Sequence, residues 1–123
     1  MVNISFTGDI LPNERINNIL NGKYSSCFKR AGKLKNTDYL IGNLETPVAG
    51  KELLYTHERY CFNTPDGILK DLKESGFDMF TLANNHCMDR GEDGILNTLK
   101  TVKNMDLILL VYILRQRIGI NFL

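Results

Sequence analysis

The chain has 123 residues, room for one hydrophobic core and too few for two ordinary domains. Hydrophobic residues at 43% and charged residues at 24% exclude a disordered composition. Fifteen basic residues against fourteen acidic ones leave a formal charge of +1, which gives no electrostatic case for nucleic acid or an anionic membrane. Cys27, Cys61 and Cys87 are an odd, scattered set without CxxC spacing. They argue against a disulfide framework and a Cys-rich zinc site, and reduced thiols are expected.

In chain order, Val2, Ile4 and Phe6 alternate with Asn3 and Ser5, which is strand periodicity and too polar for a signal-peptide core. The chain as it stands is therefore expected to be cytoplasmic. Ile16, Ile19 and Leu20 predict a first helix stopping near Gly22, and Phe28 to Lys35 a weaker one rich in Lys and Arg. Tyr39-Leu40-Ile41 is a compact apolar run of the kind buried strands show. Thr46 to Cys61 lacks a period and reads as a long loop, in which His57 is expected to be a solvated side chain.

A helix follows, with Thr64 as its N-cap, Pro65 at its first position, Ile68, Leu69 and Leu72 on one face, and Gly76 just past its end. Met79-Phe80-Thr81-Leu82 predicts the third strand. Ile95, Leu99 and Val102, with Leu96 alongside, predict the next helix, and Leu107 to Tyr112 a fourth strand. The apolar run from Leu107 is broken at Arg115 and Arg117, short of a membrane span. Strands alternating with helices predict an α/β fold, a layered, mostly parallel sheet flanked by helices.

In such sheets ligands gather beyond the carboxyl ends of the strands. There the sequence has Gly8-Asp9-Ile10, then Gly42-Asn43-Leu44-Glu45-Thr46-Pro47, then Asn84-Asn85-His86-Cys87-Met88-Asp89-Arg90-Gly91. The topology is expected to gather Asp9, Glu45, Asn85 and His86 into one cleft. Carboxylates with an amide oxygen and an imidazole suit Mg²⁺, Mn²⁺, Fe²⁺ or Zn²⁺. Gly8-Asp9 alone after a strand is usually a turn or a helix cap. Asp89 and Gly91 read as turn residues leading into the next helix, and Cys87 as a small packed residue.

Taken together, Gly8-Asp9-Ile10, Asp38, Asn43-Leu44-Glu45-Thr46-Pro47, Gly76-Phe77-Asp78, Asn84-Asn85-His86-x-x-Asp89-x-Gly91-x-x-Gly94 and Asn97-Thr98-Leu99 resemble the CapA family. This is the poly-γ-glutamate capsule biosynthesis group of the calcineurin-like metallophosphatase superfamily. The resemblance runs from about Asn3 to about Lys103. It implies the N-terminal part of a metallophosphatase-like domain over residues 1–103, followed by a divergent apolar tail over 104–123. It implies Asp9, Glu45 and Asn85 as ligands of a divalent metal, and His86 as the catalytic residue that donates a proton or stabilises negative charge. Asn43, Asn84, Asp89 and Gly91 are implied as supporting residues. The implied substrate is an envelope polymer or a phosphoester.

Two departures qualify the chemistry. The superfamily's Asp-x-His is absent, because Ile10 and Leu11 follow Asp9, which weakens a two-metal mechanism. No histidine follows His86, so the C-terminal metal motifs of the family are missing. Two carboxylates and one amide are expected to hold Mg²⁺ or Mn²⁺ weakly. A truncated domain is expected to expose apolar surface and to form a homo-oligomer by strand or segment exchange. One rival is an inactive relative serving as an interaction or assembly module. Another is an unrelated α/β domain that binds an anion at the turn near Gly91 and Gly94.

Overall fold

A computed structural model describes residues 1–28, 36–50, 52–56 and 59–110. Its elements run β1 (Ile4–Ile10), α1 (Glu14–Leu20), α2 (Ser25–Phe28), β2 (Tyr39–Leu44), α3 (Gly67–Glu74), β3 (Met79–Thr81), α4 (Gly91–Asn104) and β4 (Ile108–Leu110). Among the described residues the four strands form one sheet in the order β1-β2-β3-β4, every pair parallel. The expected α/β architecture is present. His57, most of the weaker helix (29–35) and the chain beyond Leu110 lie outside the described residues.

Successive parallel strands joined by right-handed crossovers put their helices on one face of the sheet. The burial agrees. Leu40, Leu44 and Phe80 point to that face and are fully buried, with Leu109 packed beside them. Against them lie Ile68, Leu69 and Leu72 of α3, Val102 of α4 and the buried ring of Tyr24. Phe77 stacks on Phe80 at 5.5 Å and meets Phe28 edge-on at 6.1 Å, joining α2 to the sheet. The opposite face, with Ile4, Phe6, Tyr39 and Ile108, is exposed among the described residues.

The helix ends follow local chemistry. The Asn13 side chain accepts a hydrogen bond from the backbone N–H of Ile16, and Asn21 closes α1 in the left-handed conformation at φ 44°. At the end of α3, Gly76 takes φ 97° while its N–H donates to Lys73 and that of Phe77 to Leu72. This pair of bonds is the Schellman arrangement. The start of α3 corrects the expectation. Thr64 does not cap it: its hydroxyl is buried and donates to the Pro12 carbonyl at 3.4 Å, and the helix begins at Gly67 after a turn through Pro65 and Asp66. Burial near the β1–α1 connection gives the hydroxyl a partner the sequence could not show.

The loop after β2 is pinned to α4 at both polar groups of Val48. Its N–H donates to the Thr98 hydroxyl at 2.9 Å, and its carbonyl accepts from the Asn97 amide at 2.8 Å. Those two bonds fix the chain that leaves Glu45.

Candidate functional site

Asp9 reaches the site by an irregularity. Phe6 pairs with Ile41, but Asp9 pairs with Asn43, so β1 holds one more residue than β2 between these points. Strict alternation from Phe6 turns Asp9 toward the helix-covered face; the extra residue returns it to the open face. Asp9 and Ile10 were expected just past the strand, and they lie within it, still paired with β2.

Asn43 is the hub. Its amide nitrogen donates to Asp9 Oδ1 at 2.8 Å and makes a very short hydrogen bond to Glu45 Oε2. Its amide oxygen accepts from the Asn84 amide at 3.1 Å. Asn43 and Glu45 share a face because side chains two apart on a strand do so. Asn84 also donates to the Leu44 carbonyl at 2.9 Å and accepts the His86 N–H at 3.0 Å. The ends of β1, β2 and β3 are thus tied into one polar chain running from Asp9 to the His86 backbone.

His86 is half-buried. Its Nδ1 is 2.9 Å from Asp89 Oδ2, and the ring meets Phe62 edge-on at a centroid distance of 4.5 Å. Asp89 is buried and also accepts the Phe62 N–H at 2.6 Å, while its carbonyl accepts the Thr56 N–H at 3.0 Å. Arg90, buried beside it, lies 4.1 Å over the Tyr55 ring. Tyr55, Thr56 and Phe62 are thereby held against the turn that carries His86. Burial pushes the Cys87 thiol up, and the carboxylates of Asp89 and Glu45 push it further, so both acids act on one half-buried thiol.

The expected residues therefore divide. Asp9, Asn43, Glu45 and Asn84 are directly linked, and His86 joins through its backbone. Asn85 is exposed beside them. Gly91, at φ 69°, makes the turn into α4 as expected. Asp89 does more than turn the chain, since its carboxylate holds the imidazole; the His-x-x-Asp spacing carried that signal. Phe62 and Thr56 were missed, and nothing in their sequence context marked them. Among the described residues no three His, Cys, Asp or Glu side chains form a metal-binding group, and the position between the two carboxylates is an asparagine.

The family model for the bacterial capsule synthesis protein PGA_cap matches residues 3–110, from β1 through β4. The chain belongs to this family. It is 33% identical over 110 residues to the capsule biosynthesis protein CapA of Bacillus anthracis, a match covering 85% of this chain and 26% of that protein. It is 29% identical over 113 residues to the PGA biosynthesis protein CapA of Bacillus subtilis (strain 168), covering 88% of this chain and 30% of that protein. This PGA_cap chain thus spans less than a third of each relative's length. Among its described residues no helix is long and apolar enough to cross a membrane.

Proposed function

We infer that the chain carries part of a metal-dependent hydrolase site, acting on a phosphoester or acyl bond, in a protein serving capsule or envelope-polymer synthesis. The relatives named for capsule and PGA biosynthesis support the process. One observation carries the chemistry: two carboxylates, Asp9 and Glu45, converge on a single amide nitrogen beside a His86–Asp89 pair.

The donor set fits a hard divalent ion. A nitrogen bearing partial positive charge already stands between two carboxylate oxygens, and oxygen donors favour Mg²⁺ or Mn²⁺ over softer ions. Asp9 and Glu45 would hold the ion, with Asn85 as an exposed amide ligand and water filling the shell. Bound there, a divalent ion supplies charge that polarises a phosphoryl or acyl oxygen. Asp89 engages Nδ1 of His86, so Nε2 is the nitrogen left to exchange a proton with a reacting oxygen. Phe62 covers one side of the ring and limits its rotation.

Mn²⁺ added to the protein should broaden the NMR signals of residues 9, 43–45 and 84–86. Replacing both carboxylates, Asp9→Asn with Glu45→Gln, should weaken this binding by tenfold or more, on the order expected for losing two charged ligands. Hydrolysis of a generic aryl phosphodiester should depend on His86, tested as His86→Gln. Absence of site-specific broadening together with His86-independent turnover would sink the enzyme reading. The second reading, a non-catalytic assembly module, is favoured by the exposed apolar face of the sheet.

A further inference from the structure

Asn43 and Asn84 meet at the carboxyl ends of β2 and β3, and both ends of each side-chain amide have partners. An asparagine amide offers an acceptor oxygen at one end and a two-proton donor at the other, in nearly the same shape. What it faces therefore decides which way round it sits. Asn84 faces backbone. Its oxygen accepts the His86 N–H at 3.0 Å, and its nitrogen donates to the Leu44 carbonyl at 2.9 Å. A backbone N–H only donates and a backbone carbonyl only accepts, so this amide has one allowed orientation. The second proton of the Asn84 nitrogen goes to the Asn43 oxygen at 3.1 Å. Asn43 is thereby turned as well, with its nitrogen toward Asp9 Oδ1 at 2.8 Å and toward Glu45 Oε2. All four amide protons of the pair are used.

We propose that Asn84 is a positioning residue, which passes the fixed polarity of the Leu44 and His86 backbone through Asn43 to the two carboxylates. Without Asn84 the Asn43 oxygen loses its donor, and the amide is held from one side only. With it, Asn43 is a holder and not an ion ligand: its nitrogen faces the acids and keeps one oxygen of each in place. The other oxygens, Asp9 Oδ2 and Glu45 Oε1, accept no hydrogen bond among the described residues and are left to an ion. Groups that hold metal ligands in this way orient them, and losing one typically costs about 10–100-fold in affinity. That consequence for an ion rests on the metal-site reading above; the orientation of the two amides does not. Asn63 makes a matched set of bonds away from the acids. Its oxygen accepts the Ala49 N–H at 3.0 Å, and its nitrogen donates to the Gly50 carbonyl at 2.7 Å.

Scalar couplings across hydrogen bonds, read by NMR on the whole chain without metal, show the orientation directly. The wild type should couple the Asn43 side-chain nitrogen to the carboxyl carbons of Asp9 and Glu45. It should also couple the Asn84 side-chain nitrogen to the side-chain carbonyl carbon of Asn43. In Asn84→Ala the Asn43 couplings should vanish as the amide turns between two orientations, and its protons should exchange with water about tenfold faster. Mn²⁺ affinity, followed by paramagnetic broadening, should fall by about tenfold or more. Asn63→Ala should keep the Asn43 couplings and leave the affinity within about threefold of wild type, as a separate site does. Circular dichroism checks that both variants are folded. A wild type without coupling from Asn43 to either carboxylate overturns the proposal, and that measurement needs no variant. So does a folded Asn84→Ala chain that keeps the Asn43 couplings, or an Asn63→Ala chain that loses them. A wild type with the couplings but without Mn²⁺ broadening upholds the orientation and sinks the metal-site reading alone.

Discussion

Asp9 stands opposite Asn43, and their side chains meet at 2.8 Å, because β1 carries one residue more than β2 between Phe6 and Asp9. Thr7 points to the helix side, where its hydroxyl lies 3.2 Å from the place a Gly42 Cβ would take. Gly8 is then the extra residue. The bulge spends one position to move a carboxylate from the core side of the sheet to the open side.

A deletion in a strand ordinarily flips every residue beyond it. Removing Gly8 should not do so here, since Phe6, Thr7 and Asp9 would then pair with Ile41, Gly42 and Asn43 in an unbroken ladder. The deletion should leave Mn²⁺ affinity within about threefold of wild type, against a loss of tenfold or more for Asp9→Asn. A titration followed by paramagnetic broadening checks this. A deletion variant as weak as Asp9→Asn would show that the bulge geometry, and not merely the facing of Asp9, makes the site.

The Asp89 carboxylate serves two donors at once, the imidazole of His86 and the Phe62 N–H. Asp89→Ala should strip both and cost about 1–3 kcal/mol in urea unfolding, the range for leaving buried polar groups unpaired. The chain has two histidines, so His57→Gln leaves His86 as its single imidazole. In that background the nitrogen-15 spectrum should show a protonated Nδ1 in the neutral ring, and Asp89→Ala should shift it toward the other tautomer. An unchanged tautomer would mean that Asp89 does not orient the ring.

Much of this arrangement was legible in the residues. Leu40, Phe80 and the α3 stripe Ile68, Leu69, Leu72 read as core and are core, because strand and helix periods leave few other ways to bury them. The spacing of Asn43 and Glu45 implied a shared face. The bulge was not legible: nothing in Thr7-Gly8 distinguishes a continuing strand from a turn, and both readings satisfy the local backbone. Thr64 misled for a related reason. Its place before a proline fits an N-cap, but a buried carbonyl at Pro12, far away in sequence, is where its hydroxyl bonds. Phe62 was invisible because its contact with His86 depends on a loop path that no period records.

Gly42 marks the tightest point between β1 and β2. A Cβ there would lie 2.6 Å from the Ile10 methyl, 3.0 Å from the Phe77 ring and 3.2 Å from the Thr7 hydroxyl. The methyl can turn away, but Phe77 is held between Phe28 and Phe80. Gly42→Ala should therefore destabilise by about 1–3 kcal/mol, with Gly42→Val worse, as overpacked cores do. Gly8→Ala, where a Cβ meets nothing within 4 Å, is the matched control and should lie within about 0.5–1 kcal/mol of wild type. Equal losses at the two positions would contradict this packing.

Tyr24 gives the fold a dependence on alkaline pH. Its ring is 2% exposed, and burial, with the Asp71 carboxylate nearby, pushes its phenol above the ordinary tyrosine range. The folded chain thus holds this proton more tightly than the unfolded one. The stabilisation is complete below the unfolded value and is lost as pH rises through the raised folded value. Urea midpoints measured from neutral into strongly alkaline solution should fall for the wild type, and fall less for Tyr24→Phe, which has no proton to release. At neutral pH the two should differ little. An alkaline loss of the same size in both would assign it to other groups and remove Tyr24 from the explanation.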